Sequence, residues 1–121
     1  MPPTTSPNSV KIISLNRDKL LVRLRDIAAQ IRSAHPQVVG VRLFGSVARG
    51  DCTGTSDVDV LVVLRHTAEP DPVRRILTFL PYFTLDRGAD LLVYTEAELE
   101  RGLAENPALQ RIWSESISLN V

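Results

Sequence analysis

The sequence lacks the features that mark secreted, disulfide-stabilised or membrane-spanning proteins. Its 121 residues include one cysteine, Cys52, which excludes an internal disulfide and is typical of a reducing compartment. No apolar run has the length of a membrane span, and no charged-then-apolar leader opens the chain. We therefore expect a cytoplasmic protein that makes no contact with a membrane.

An excess of charge of either sign is also missing. Fourteen basic and fourteen acidic residues give a formal net charge of zero, whereas dedicated nucleic-acid binders usually carry a basic surface. Direct binding of nucleic acid is therefore not expected. A chain of this length buries about two-thirds of its unfolded surface, which is enough for one domain to fold alone.

The first half of the chain is organised around a helix. Residues 1–9 are rich in Pro, Ser and Thr and predict a disordered tail, which leaves a single domain over residues 10–121. Residues 10–15 fit either an extended segment or a lead-in to the helix. Apolar residues then recur at helical spacing over residues 17–34, and Pro36 ends the pattern.

Three apolar segments, residues 38–44, 58–64 and 90–94, predict β-strands. The second segment is apolar at successive positions, which is typical of a central strand covered on both faces. Helices are predicted at residues 73–80, after a Thr95 cap, and at residues 108–116. This alternation predicts an α+β class with a small mixed β-sheet flanked by helices.

The stretch from Leu43 to Leu64, LFGSVARGDCTGTSDVDVLVVL, carries the chemistry. Its first strand ends in Gly45-Ser46, where a glycine without Cβ, backbone N–H groups and a hydroxyl can approach a phosphate. Ser46 is expected to cap a short helical turn, which Gly50 ends. The sequence therefore predicts a phosphate cradle at this turn.

Three carboxylates lie at the starts of apolar strands. Asp57 and Asp59 point to the same face because strand side chains alternate, and Asp90 opens the third strand in the same way. A salt bridge from Asp59 to Arg49 or Arg42 would account for that residue alone. Three clustered carboxylates repel one another unless a cation lies among them, and oxygen-only ligands favour Mg²⁺ or Mn²⁺.

The order Gly45-Ser46, Asp57-x-Asp59 and Asp90 resembles the signature of the DNA polymerase beta-like nucleotidyltransferases. Within that superfamily, the short chain and its motifs GSVARGD and SDVDVLV most resemble those of the minimal nucleotidyltransferases, the MNT antitoxins of HEPN–MNT toxin–antitoxin pairs. The resemblance implies a polymerase beta-like nucleotidyltransferase fold. It also implies ATP as substrate, two Mg²⁺ ions, and transfer of AMP to an acceptor.

The resemblance also implies a role for each residue of the motif. Asp57 and Asp59 would bind both metals, Asp90 would complete the triad by ligating metal and polarising the acceptor hydroxyl, and Gly45-Ser46 would hold the triphosphate. Arg49 would either contact phosphate or brace Asp57, with bracing preferred.

The remaining chemically interesting residues have structural interpretations. His35 and His66 are expected at the surface, and Trp113 in the core or as an interface anchor.

Three functions remain open. The first is an adenylyltransferase acting on a partner protein, with a HEPN-type toxin as partner. The second is a steric antitoxin that covers its toxin without catalysis. The third is a nucleotidyltransferase for a small molecule, although such enzymes add an acceptor-binding domain that is absent here.

Overall fold

The computed structural model of this chain describes residues 6–51 and 56–120, with side chains from residue 17 onward. Its helices and strands, in chain order, are α1 (Ser6–Ala34), β1 (Val38–Phe44), α2 (Gly45–Arg49), β2 (Val58–Leu64), α3 (Pro72–Phe79), β3 (Ala89–Thr95), α4 (Glu96–Glu105), α5 (Pro107–Glu115) and β4 (Ile117–Ser118). Within the described ranges, no helix is long and apolar enough to cross a bilayer.

The four strands form one mixed sheet in the order β3-β2-β1-β4. Strand β1 runs antiparallel to both β2 and β4, whereas β2 and β3 are parallel. The prediction of a small mixed sheet with β2 in a central position is confirmed. The two-residue strand β4 was not predicted, because a segment this short carries no periodicity.

Helices cover both faces of the sheet. One face packs against α1 and α3 in the larger core, where Leu24, Ile27 and Val60 are fully buried. The other face packs against α4 and α5 in a smaller core that contains Leu61 and Leu99. Burial of each such side chain contributes about 1.5–3 kcal/mol to the free energy of unfolding. The successive apolar residues of β2 therefore stabilise the packing on both faces of the sheet.

Helix α1 is longer than the sequence predicts. It begins at Ser6, so residues 6–15 are helical where the sequence favoured a tail and left the following segment open. Pro7 lies in the first turn, where a missing N–H costs no hydrogen bond, and no Pro or Gly follows until Pro36. Residues 1–5 of the predicted tail lie outside the described part.

His35 does not lie at the surface as expected. It is half-buried after α1, where its Nε2 is 3.1 Å from the Tyr82 hydroxyl and its ring meets Phe79 edge-on. His66 is exposed, as predicted.

A buried ion pair joins α3 to α4. The Arg75 guanidinium, only 5 % exposed, donates to Glu98 Oε1 at 2.6 Å and to the Val93 carbonyl at 3.3 Å. Glu98 also completes a capping box with Thr95, which confirms the predicted cap of α4. The pair therefore links two helices across the end of β3.

Candidate active site

The predicted site residues meet at one edge of the sheet. In the antiparallel register Phe44 lies opposite Asp59, and in the parallel register Asp59 lies opposite Asp90. The end of β1, which leads into Gly45-Ser46, therefore adjoins the starts of β2 and β3. Because partners in register share a face, the side chains of Asp59 and Asp90 lie on the same side of the sheet.

Asp57 lies one residue before β2 and is exposed. Its Oδ1 accepts a hydrogen bond from the Gly88 N–H at 3.2 Å, and the N–H of Val58 donates to the Gly88 carbonyl at 3.0 Å. A Cβ at Gly88 would approach Asp57 Oδ1 to 2.9 Å. Gly88 therefore positions Asp57, a role that the sequence does not indicate because nothing near Gly88 resembles a motif.

Gly45 is required by the carboxylate of Asp59. Its φ is +75°, in the left-handed region that favours glycine, and a Cβ there would collide with the Asp59 carboxylate. From the sequence, an approaching phosphate is expected in this space. In the structure, Asp59 already fills it, so the glycine brings the turn and the metal-ligand candidate into direct contact.

The three carboxylates have no cationic partner in the described part of the chain. Burial raises the pKa of Asp59, and the charges of Asp90 and Asp57 raise it further. Arg42, one of the two partners considered for Asp59, instead stacks 4.4 Å above the Trp113 ring and donates to Ser116 Oγ at 2.7 Å. Arg49, the other, lowers the pKa of Asp59 only as a nearby charge.

The preferred role of Arg49, bracing Asp57, is wrong. Its Nε donates to Asp51 Oδ2 at 3.1 Å, and its Nη1 donates to Glu115 Oε1 at 3.1 Å. Both partners are acidic, and their hydrogen bonds raise the pKa of Arg49 above its ordinary value. Glu115 had not been identified from the sequence because it lies 66 residues away at the end of α5.

Ser46 is the second residue of α2 and does not cap it. The N-cap position belongs to Phe44, whereas Gly50, with φ +82°, ends the helix as predicted. The helix is also held from outside by Arg17, which donates to the carbonyl oxygens of Val47 at 2.9 Å and Ala48 at 3.2 Å. Arg17 is a positioning residue, although its place in the sequence indicates only that it belongs to helix α1.

The donor set at this edge fits a hard divalent cation. It consists of carboxylate oxygens, and their mutual repulsion is relieved when a cation lies among them. Across residues 6–51 and 56–120, no three His, Cys, Asp or Glu side chains are already arranged around a metal position. Cys52 lies outside the described residues.

Comparisons with known proteins identify the family and the fold. The sequence model of the nucleotidyltransferase domain matches residues 23–120, which include all six predicted site residues. A solved structure from Sulfolobus solfataricus, provisionally named a nucleotidyltransferase, shares the fold with a TM-score of 0.67 and 24 % identity. The match covers 88 % of this chain and 84 % of that one. No curated protein matches the chain.

Proposed function

This chain belongs to the nucleotidyltransferase domain family, and from that premise we propose that it transfers AMP from ATP to a hydroxyl group of a partner protein. The observation that carries the proposal is the register that sets Asp59 beside both Asp90 and the Gly45 turn. A nucleotide held at the turn would present its α-phosphate to the carboxylates.

Each residue has a proposed task in this reaction. Gly45-Ser46 and Arg49 hold the triphosphate, while Asp57, Asp59 and Asp90 hold Mg²⁺. When bound, Mg²⁺ would supply charge stabilisation for the α-phosphate and the leaving pyrophosphate. Asp90 orients the acceptor hydroxyl and takes its proton as the hydroxyl oxygen bonds to the α-phosphorus. The bond from that phosphorus to pyrophosphate then breaks.

The exposure of the carboxylates supports a macromolecular acceptor. Asp57 and Asp90 are exposed, so the acceptor side of the site is open to solvent. A cavity of about 420 Å³ that includes Val39, Val63 and Trp113 lies at the other end of the strands. An open site needs a second wall to exclude water during transfer, and a docked protein can supply it.

We propose a HEPN-type toxin as that protein, with this chain as its MNT-type antitoxin. The basis is the sequence of the motif, GSVARGD and SDVDVLV. On this proposal, AMP on a toxin hydroxyl is the antitoxic modification, and the site acts in the cytoplasm with ATP and Mg²⁺.

The test uses ATP labelled either at the α- or at the γ-phosphate, with Mg²⁺ and lysate from the source cells. Label from the α-position alone should appear on one protein, identified by mass spectrometry, and Asp57→Asn should abolish it. If a small molecule became labelled and no protein did, the acceptor would be that small molecule and the protein-acceptor proposal would be wrong.

A second experiment separates catalysis from steric neutralisation. Asp57→Asn should still co-purify with the partner but should no longer protect cells from it. Full protection by this variant would support the steric antitoxin instead.

A further inference from the structure

Glu115 makes contacts that a bound phosphate would need. This last residue of α5 accepts a hydrogen bond at Oε1 from the Gly45 N–H, at 3.3 Å. The Arg49 Nη1 donates to both of its carboxylate oxygens, at 3.1 and 3.3 Å. The side chain of Glu115 is 20 % exposed, so the contact is largely shielded from water.

The position of Glu115 is unfavourable for α5 itself. A negative charge at the C-terminus of a helix opposes the helix dipole, and no basic residue lies in the last turn of α5. The contacts with Gly45 and Arg49 compensate for that placement. Glu115 is therefore held at the turn by the turn's own donors rather than by its helix.

The backbone around Glu115 is anchored to the sheet. The Ser116 Oγ and the Ser116 carbonyl oxygen accept hydrogen bonds from Arg42 at 2.7 and 3.2 Å. Ile117, in β4, pairs with Leu43 of β1. Displacement of the whole segment would break these bonds. Rotation of the Glu115 side chain alone would free the Gly45 N–H and Arg49 Nη1, while Arg49 Nε stays bonded to Asp51.

We propose that Glu115 is an internal competitor for the phosphate position, and that its carboxylate swings away when a nucleoside triphosphate binds. This inference rests on the proposed nucleotide site at Gly45, Ser46 and Arg49. One N–H cannot serve a carboxylate and a phosphate at once, and the two anions repel each other at contact distance. Glu115 thus lowers the affinity for nucleoside triphosphate.

The test is calorimetric titration of Mg²⁺-ATP, inorganic triphosphate and adenosine into the parent and two variants. Glu115→Gln keeps the size of the side chain and removes its charge. Glu105→Gln removes one charge from an exposed residue at the end of α4 and is the matched control. We expect Glu115→Gln to bind Mg²⁺-ATP and inorganic triphosphate about tenfold more tightly, the change expected from one charged hydrogen bond. Adenosine affinity and the control should not change.

Two results would overturn the inference, and they are distinguishable. If the parent binds Mg²⁺-ATP and Glu115→Gln binds it equally or more weakly, Glu115 is a structural brace and the nucleotide site stands. If the parent and both variants bind no triphosphate, the proposed function fails and the competitor with it. A structure of the parent with a non-hydrolysable ATP analogue gives a check without variants: the Glu115 carboxylate should no longer contact the Gly45 N–H.

Discussion

At the residue scale, Gly45 and Asp59 form one unit. The positive φ of Gly45 turns the chain out of β1, and the absence of its Cβ leaves room for the Asp59 carboxylate. Neither residue alone explains the site. A glycine in a turn is common, and a salt bridge would account equally well for a single Asp at a strand end.

Gly45→Ala should therefore lower stability and abolish nucleotidyl transfer. The left-handed backbone costs an alanine about 1 kcal/mol, and the collision with Asp59 adds to that loss. Gly50→Ala is the matched control, because Gly50 has φ +82° but its nearest neighbour, Arg17, is 3.9 Å from a built Cβ. Urea unfolding and a transfer assay should show strain in both variants and loss of activity in Gly45→Ala only. An active Gly45→Ala would contradict this account.

Asp59→Asn should be slightly more stable than the parent when Mg²⁺ is absent. The pKa of Asp59 is raised in the folded protein, so the ionised group opposes folding at neutral pH, and the amide removes that opposition. Mg²⁺-ATP should then raise the melting temperature of the parent far more than that of the variant. Asp18→Asn, an exposed acid on α1, should respond like the parent. Equal stabilisation of parent and Asp59→Asn would show that Asp59 is not a metal ligand.

The sequence could identify these acids but not all of their neighbours. Gly45, Asp57, Asp59 and Asp90 follow from a strand period and the order of short motifs. The partners of Arg49 cannot be predicted in this way. Glu115 contacts Arg49 only because α5 packs beside α2, and no local sequence pattern encodes that packing.

At the element scale, α2 is a five-residue helix that depends on α1 for its position. Arg17 donates to its last carbonyl groups, which is also favourable for the dipole of the helix. Arg17→Gln should cost about 1 kcal/mol of stability, the net value of a typical hydrogen bond, and should weaken Mg²⁺-ATP binding. Lys19→Gln, an exposed residue on α1, is the control for lost charge. If both variants bind ATP alike, α2 does not need this support.

The Arg75–Glu98 pair makes the packing of α3 against α4 sensitive to acid. The bond to Arg75 lowers the pKa of Glu98 from 4.5 to about 2, so its contribution to stability is complete above pH 4.5 and is lost as pH falls from 4.5 towards 2. That contribution is on the order of 3 kcal/mol. Urea unfolding of parent and Glu98→Gln between pH 6 and pH 3 should show a difference at pH 6 that shrinks on acidification. A constant difference would show that this pair does not titrate in the range.

At the scale of the whole molecule, the sequence predicted the class of the sheet and its central strand but not its full extent. Successive apolar residues over 58–64 require cover on both faces, and this is what places β2 in the interior. The first helix was predicted too short because the period of apolar residues begins near Arg17, although the helical backbone starts at Ser6. Strand β4 exists only through pairing with β1, a tertiary contact.

The register of the sheet also bears on the order in which the two strand pairings that build the site form during folding. Phe44 and Asp59 meet across the close antiparallel pairing of β1 and β2, whereas Asp90 reaches Asp59 only after the parallel crossover through α3 is complete. Closing the longer, parallel connection is the slower event. Asp90 therefore adds its repulsion of Asp59 as this slower connection closes, so the repulsion opposes folding and favours unfolding. Stopped-flow kinetics without Mg²⁺ should therefore show a higher ratio of folding rate to unfolding rate for Asp90→Asn than for the parent, so the repulsion that a cation would relieve also lowers the kinetic and thermodynamic stability of the metal-free fold.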